Sequence, residues 1–365
     1  MALIAAWLLP PAARAQSDAA HPADAPRPSF AEFLAGIRSE ALSRGIRPEI
    51  LDEALAHIDE PSAVVIERDR SQAETVLSLD QYVEQRVTSK SVAAGRDMLA
   101  RHRELLDQIS SRYGVSPSLI VGIWGFESNY GRFSGIRPTI AALATLAWDP
   151  RRSALFRAEL FDALDILNRG DIELSRLKGS WAGAMGQVQF MPSSYLKFAE
   201  DFDGDGRRDI WATPSDIFAS IANYLKGHGW VEGGAWGREV AVSQDARRRI
   251  ASEVDSRNGT CRATRDMTVA LPAATWQALG VRTATGDSLP AALPDAALVT
   301  GPSRAYLVNR NYDALLEYNC SHAYAISVGL LADRIAGAEP ALQPAKAKAG
   351  KASHSHTNKK KKAQV

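Results

Sequence analysis

Ser116-Pro-Ser-Leu-Ile-Val-Gly-Ile-Trp-Gly-Phe-Glu-Ser-Asn-Tyr-Gly131 carries the clearest local fold signal in this 365-residue chain, and its most telling titratable group. Ser116 followed by Pro117 reads as an N-cap and a first-turn proline. A helix should therefore run from Pro117 to about Tyr130 and stop near Gly131. On that helix Ile120, Ile123, Trp124 and Glu127 stand at i, i+3, i+4 and i+7, which is one face. Glu127 thus projects from an apolar stripe aimed at the core. A carboxyl desolvated in this way has a raised pKa and stays protonated near neutral pH, as a general acid at a glycosidic bond must. The same placement also fits a structural glutamate whose oxygens are satisfied by Ser128, Asn129 or an arginine.

Outward from this helix the pattern stays helical through about residue 235, with Ser/Asp/Pro starts and Gly stops. Ser29 and Glu32 form a capping box ahead of Phe30, Phe33, Leu34 and Ile37. The texture changes from about Val240. Met267–Leu271, Gly280–Thr283 and Arg304–Val308 are short β-prone pieces between Pro and Gly turns. A helical pattern returns over Leu315–Ile335 and ends at Gly337. The expected organisation is a leader at 1–15, a Pro-rich linker at 16–29, helical segments at 30–100 and 101–239, and a small β-containing insert at 240–311. A helical return at 312–337 and a basic tail at 338–365 complete it. No repeat, heptad run, phosphate-binding glycine loop, His-Glu-x-x-His or Cys-x-x-Cys is present, which argues against metal hydrolases and nucleotide enzymes.

Met1–Ala15 is apolar and ends in Ala13-Arg14-Ala15, a small-x-small cleavage pattern that reads as a secretory signal peptide, although no basic residue precedes it. No later stretch approaches the roughly 18 apolar residues of a membrane span, and no Cys near the cleavage pattern invites a lipid anchor. The tail from Ala345 holds seven lysines and no acid, a composition that builds no core and reads as disordered. With a formal charge of +1 overall, the chain without those lysines carries about −6, which speaks against a nucleic-acid binder. Cys261 and Cys320 are the only cysteines. After export they read as a structural disulfide; the other reading is two buried thiols.

Two further motifs carry chemistry. Gly179-Ser-Trp-Ala-Gly-Ala-Met-Gly-Gln-Val-Gln-Phe-Met-Pro-Ser193 combines small residues with Ser180, Gln187, Gln189 and Phe190, the polar donors and flat apolar faces that bind sugars. Helix-packing glycines with a buried Gln network are the alternative. Asp201, Asp203, Asp205, Gly206, Arg207 by its carbonyl and Asp209 match the first nine positions of a calcium loop over 201–212. Ala212 stands where a bidentate acid belongs, so a ligand would have to come from elsewhere, such as Asp216. A solvated acidic turn is the other reading.

Gly125-Phe-Glu-Ser-Asn-Tyr-Gly131, Gly183-Ala-Met-Gly186 with Gln189-Phe-Met-Pro-Ser193, Asp201-Phe-Asp-Gly-Asp-Gly206 and Ile221-Ala-Asn-Tyr-Leu-Lys-Gly-His-Gly-Trp230 occur in that order. Together they resemble the MltB-type lytic murein transglycosylases, glycoside hydrolase family 103, over roughly residues 30 to 336. The resemblance implies a mainly α fold: a lysozyme-like helical core at 101–239, an α-helical N-terminal part and a small β-containing insert. It makes Glu127 the single acid/base and places Ser180, Gln189, Phe190 and Tyr224 at the saccharide. Tyr318, Asn319 and Tyr324, within Tyr318-Asn-Cys-Ser-His-Ala-Tyr324, fall at the cleft, as does Tyr82 in Asp80-Gln-Tyr-Val83. The implied reaction is cleavage of the β-1,4 bond between N-acetylmuramic acid and N-acetylglucosamine of peptidoglycan glycan strands, giving 1,6-anhydromuramyl ends. No cofactor is required, with structural Ca2+ left open. A periplasmic monomer is expected, with cell-wall synthesis or division proteins as candidate partners. A hydrolytic muramidase, using Asp201 or Asp209 as second carboxylate, and a non-catalytic peptidoglycan-binding protein are the competing readings.

Overall fold

The computed structural model of the chain describes residues 28–71 and 77–337. The expected leader 1–15, the linker up to residue 27 and the tail 338–365 lie outside the described residues. The first helix, α1 (Phe30–Ser43), starts as its sequence predicts: the Ser29 hydroxyl accepts from the Glu32 N–H, and the Glu32 carboxylate accepts from the Ser29 N–H at 2.8 Å. It is followed by α2 (Pro48–Leu55), α3 (Ala63–Ser71), α4 (Leu79–Arg86) and α5 (Ser89–Arg101). The next group is α6 (Arg103–Tyr113), α7 (Pro117–Ser128), α8 (Thr139–Trp148), α9 (Ser153–Arg169), α10 (Pro192–Phe198) and α11 (Pro214–Gly227). After the insert, which contains α12 (Gln244–Glu253), α13 (Arg262–Arg265) and α14 (Ala273–Ala278), come α15 (Arg310–Tyr318) and α16 (His322–Ile335).

α7 is packed by α5, α6, α11 and α16. Leu119, Val121, Gly122 and Phe126 are therefore buried together with Ile120, Ile123 and Trp124. The single stripe expected from the sequence is only part of this surface. A helix apolar all round is one enclosed by neighbours. Its start also differs in detail, since Ser116 sits at the N-cap with Pro117 behind it but its side chain makes no capping hydrogen bond.

Two antiparallel sheets accompany the helices. β1 (Arg137–Pro138) pairs with β2 (Lys178–Gly179), a two-residue ladder inside the span expected to be purely helical. The insert forms a four-stranded sheet from β3 (Gly237–Val242), β4 (Val281–Thr283), β5 (Ala297–Thr300) and β6 (Ala305–Val308), in the order β4-β3-β6-β5. β3 begins at Gly237, a few residues before the change of texture at about Val240. Gly280–Thr283 and Arg304–Val308 do contain strands, whereas Met267–Leu271 makes only isolated bridges through Thr268 and Leu271. On β6, Ala305 and Leu307 face a small second core around Trp276, Val281 and Leu298, while Tyr306 and Val308 join the main one. Both faces of this strand are buried, so the apolar–polar alternation that would mark it in sequence is absent.

The helical pattern expected over Leu315–Ile335 is made of two helices, broken at Asn319–Ser321. Ser321 caps α16 by accepting from the Tyr324 N–H, and Cys320 in the break is disulfide-bonded to Cys261, with 5.8 Å between Cα atoms. The bridge ties the insert to the segment carrying Tyr318 and Tyr324. Among the described residues no helix is long and apolar enough to cross a membrane.

Candidate active site

α7 ends two residues sooner than its sequence suggests, at Ser128, because the chain turns left-handed at Asn129 (φ 52°), Tyr130 (φ 58°) and Gly131 (φ 79°). Such a run in non-glycine residues is strained and persists only where surroundings hold it. The Gly131 N–H donates to the Ser128 hydroxyl at 3.0 Å, and the Tyr130 hydroxyl to the Ser91 carbonyl at 2.7 Å. Gly125 permits the fold-back, since a Cβ there would lie 2.6 Å from the Tyr130 ring. The effect is to leave Glu127 at the end of a rigid, buried helix.

Glu127 is half-buried and lines a cavity of about 540 Å³ in which it is the only acid among the described residues. Its Oε1 accepts a 2.6 Å hydrogen bond from the hydroxyl of Tyr324, which is itself buried. Burial pushes the Glu127 carboxyl up to about 7, against the smaller opposing pulls of the Tyr324 hydrogen bond and the Arg86 charge. Burial also holds the Tyr324 phenol well above its usual range, so it remains a donor. None of the partners considered from sequence takes the carboxylate. Ser128 donates to the Trp124 carbonyl, and Arg86 to the Phe126 carbonyl at 2.9 Å while stacking on the Phe126 ring.

From Tyr324 a row of rings leads away from the acid. Tyr318 stacks on Tyr324 at 6.3 Å, Tyr224 lies 4.7 Å from Tyr318, and Phe190 packs against both Tyr224 and Tyr318. Phe190 is 2% exposed, so it backs the tyrosines and presents no open face. Tyr224 is buried too, its hydroxyl donating to the Glu317 carbonyl. The Tyr318 hydroxyl donates to the Val188 carbonyl at 2.9 Å, pinning the turn that holds Ser180 and Gln189. Within that turn the Ser180 Oγ accepts from the Ala182 and Ala184 N–H groups, and Gln189, at φ 52°, donates to the Gly186 carbonyl. Gln187 serves structure: it accepts from the Trp124 indole and donates to the Trp211 carbonyl. Asn319 is exposed at the end of α15. Tyr82 is half-buried, its phenol pushed up by burial and, to a lesser degree, by the Glu127 charge.

In the acidic loop, carboxylate oxygens of Asp201, Asp203 and Asp205 lie within 4.8 Å of one another. Asp201 also accepts from the N–H groups of Gly204, Asp205 and Gly206, and Asp205 from that of Arg207. Asp209 turns away from the cluster, accepting from Arg176 and from the Trp211 and Ala212 N–H groups. Asp216 braces the loop through the Phe202 and Asp209 N–H groups, and burial raises its carboxyl to about 6. Three converging carboxylates and a loop carbonyl are oxygen donors of the kind calcium takes, fewer than the full loop provides.

Arg86 had no local signal in the sequence beyond its place one turn after Tyr82. Lys90 and Arg132, which also line the cavity, had none.

A family model described as "Transglycosylase SLT domain" matches residues 29–333. Membrane-bound lytic murein transglycosylase B of Escherichia coli (strain K12) is 42% identical over 154 residues, which is 42% of this chain and 42% of that protein. The alignment thus spans about two-fifths of that relative. Among solved structures, SltB3 from Pseudomonas aeruginosa in complex with NAG-anhNAM-pentapeptide matches with TM-score 0.75 at 40% identity, covering 85% of this chain and 80% of that one. The Escherichia coli lytic transglycosylase Slt35 in complex with calcium matches with TM-score 0.69 at 29% identity, covering 86% and 94%. The mainly helical, lysozyme-like fold is therefore that of this chain.

Proposed function

The chain belongs to the transglycosylase SLT domain family, and on that premise we propose that it is a lytic murein transglycosylase. It cleaves the β-1,4 bond between N-acetylmuramic acid and N-acetylglucosamine in peptidoglycan and leaves 1,6-anhydromuramyl ends. The observation that carries this reading is Glu127: a carboxyl raised to about 7, bonded to Tyr324, and the only acid among the described residues that line its cavity. A carboxyl with that pKa is populated in both protonation states near neutral pH, which a group acting first as acid and then as base requires.

In the first step Glu127 gives its proton to the glycosidic oxygen as the bond from the anomeric carbon to that oxygen breaks. The substrate's acetamido oxygen meets the positive charge on the anomeric carbon, with Asn319 and the Ser180 hydroxyl orienting it. In the second step the muramyl C6 oxygen attacks the anomeric carbon, and Glu127 takes the hydroxyl proton. The acid is thereby restored and the anhydro ring closed. Tyr324 holds the carboxylate between the steps, and Tyr318, Tyr224, Tyr82, Gln189 and Phe190 shape the saccharide side of the site. A hydrolase acting through two carboxylates needs the second roughly 5 to 9 Å from the first; Asp201 and Asp209 instead direct their oxygens into the acidic loop and Arg176.

The acidic loop would take calcium structurally through Asp201, Asp203 and Asp205 with the Arg207 carbonyl, in keeping with the calcium complex of the relative Slt35. Calcium there would fix the loop, and no step of the reaction passes through it. The disulfide supports export to an oxidising compartment, here the periplasm. Mass spectrometry of digested peptidoglycan tests the activity: anhydro ends with the wild type, and a loss on the order of 100-fold or more with Glu127→Gln. Reducing ends in place of anhydro ends would make it a hydrolytic muramidase.

A further inference from the structure

The β-containing insert has a hold on the site that the cleavage chemistry does not use. Between β5 and β6 the chain turns over residues 301–304, with the Gly301 N–H donating to the Arg304 carbonyl at 2.8 Å. Arg247 of α12 donates to the Gly301 and Arg304 carbonyls at 3.0 and 3.3 Å, so the turn is fixed from within the insert. Its Ser303 reaches α4: the N–H and the hydroxyl both donate to Asp80 Oδ2, at 2.7 and 2.6 Å. Gly301 allows this approach, since a Cβ there would lie 2.9 Å from Asp80 Oδ1 and from the Leu79 side chain. Asp80 Oδ1 is closed to solvent, and the Arg304 charge faces both Asp80 and the buried Glu239 carboxyl of β3.

α4 has 8 residues, so what moves its first turn moves the whole helix. Two residues after Asp80 stands Tyr82, and Arg86 follows one turn later. Tyr82 lies within reach of the Glu127 charge, and against the rise that burial imposes the Arg86 charge pulls the Glu127 carboxyl down. The far end of α4 is held by the Phe126 carbonyl, which accepts from Arg86, and by Arg334 of α16, which donates to the Val87 carbonyl at 3.0 Å. On the opposite wall the insert is tied to α15 by Arg257, bonded to both oxygens of Asp313 at 2.7 and 3.0 Å, and to the break before α16 by the disulfide. The insert thus grips both walls of the site, although none of the described residues lining the Glu127 cavity belongs to it.

We propose that Asp80 is a positioning residue, through which the insert holds Tyr82 and Arg86 in place against Glu127. The proposal rests on the reading of Glu127 as the acid/base. A tilt of α4 would carry the Arg86 charge away from the carboxyl and misplace Tyr82, and small displacements of positioning groups cost large factors in rate.

The test compares the wild type with Asp80→Ala, Asp80→Asn and Ser303→Ala in two measurements. Carbon-13 NMR of glutamate-labelled protein, with the signal assigned by its loss in Glu127→Gln, gives the pKa of Glu127; release of anhydro products gives kcat and KM. Asp80→Ala should raise the Glu127 pKa by about half a pH unit as Arg86 loses its alignment. It should lower kcat about tenfold, with KM changed less. Direct loss of the Asp80 charge would lower that pKa, so the sign separates positioning from a through-space effect. Asparagine keeps an oxygen to accept from Ser303 and should restore both values; Ser303→Ala, which keeps the N–H donor, should shift both in the direction of Asp80→Ala by a smaller amount. An unmoved or lowered pKa in Asp80→Ala, or an asparagine variant that behaves like alanine, would overturn the proposal. Should Asp80→Ala not fold, Ser303→Ala decides: an unmoved pKa and kcat overturn it. The NMR measurement needs no turnover, so a wild type that releases no anhydro products would overturn the proposed activity while the pKa shift still decides whether Asp80 places α4.

Discussion

Glu127→Gln should stabilise the protein while silencing it, and the gain should depend on pH in a way that only Glu127 explains. The carboxyl rises from 4.5 to about 7 because burial penalises its charged form. At about 1.4 kcal/mol for each factor of ten, ionising it in the folded state costs roughly 3 kcal/mol. The side chain is half-buried, so solvent screening brings this to about 2 kcal/mol. The sign follows from linkage. The folded pKa lies above the unfolded one, so the wild type holds its full stability below pH 4.5 and loses this share as pH rises to about 7. Glutamine does not ionise, and its amide oxygen can still accept from Tyr324. The stability difference, variant minus wild type, should therefore be smallest near pH 4.5, grow by about 2 kcal/mol up to pH 7 and then level off. Paired urea denaturations at pH 4.5, 6 and 8 measure it, and other titrating groups cancel in the difference. A fixed penalty for the buried amide shifts the curve without bending it. A difference flat with pH, or one that falls toward pH 8, would refute the claim that Glu127 is a desolvated acid.

Tyr324→Phe removes the donor to Glu127, and a hydrogen bond to a charged group contributes about 1.5–3 kcal/mol, so the Glu127 pKa should rise by about one to two pH units. Because cleavage begins with the protonated acid, the alkaline limb of the kcat/KM profile should move up by that amount; a limb that stays put or moves down contradicts the role given to Tyr324. Replacing Cys261 and Cys320 by serine frees a loop with a sequence separation of 59, worth ~4 kcal/mol on the chain-entropy account. The variant should melt about 8 °C lower by calorimetry, and an unchanged melting temperature would mean that the bridge adds no stability.

What the sequence made legible is local. The capping box at Ser29 and the proline start of α7 depend on neighbours a few residues apart, and both appear where the pattern places them. The all-round burial of α7 depends on α5, α11 and α16, which no short window contains, so only one stripe of it could be read. β6 escapes alternation for a related reason, being covered on both faces by two cores. The site divides in the same way. Glu127 announces itself through helical spacing, but its hydrogen-bond partner is 197 positions away. Family resemblance could bring Tyr324 to the cleft without saying which atom it would meet.

The choice between hydrolysis and intramolecular transfer turns on whether a second carboxylate faces the scissile bond, a feature that a sequence rich in acids cannot display. Asp201 and Asp209 were both open from sequence because each stands in a polar loop near the saccharide motif. Folding settles their surroundings. Asp201 accepts three main-chain N–H groups of its own turn, and Asp209 accepts two more together with Arg176. A carboxylate held in this way would have to give up those bonds to act as nucleophile or base, exchanging them for water at the turn N–H groups. On the transglycosylase reading, the substrate's own C6 hydroxyl makes the attack on the anomeric carbon, and a carboxyl with a pKa near 7, such as Glu127, is the protein group that attack calls on.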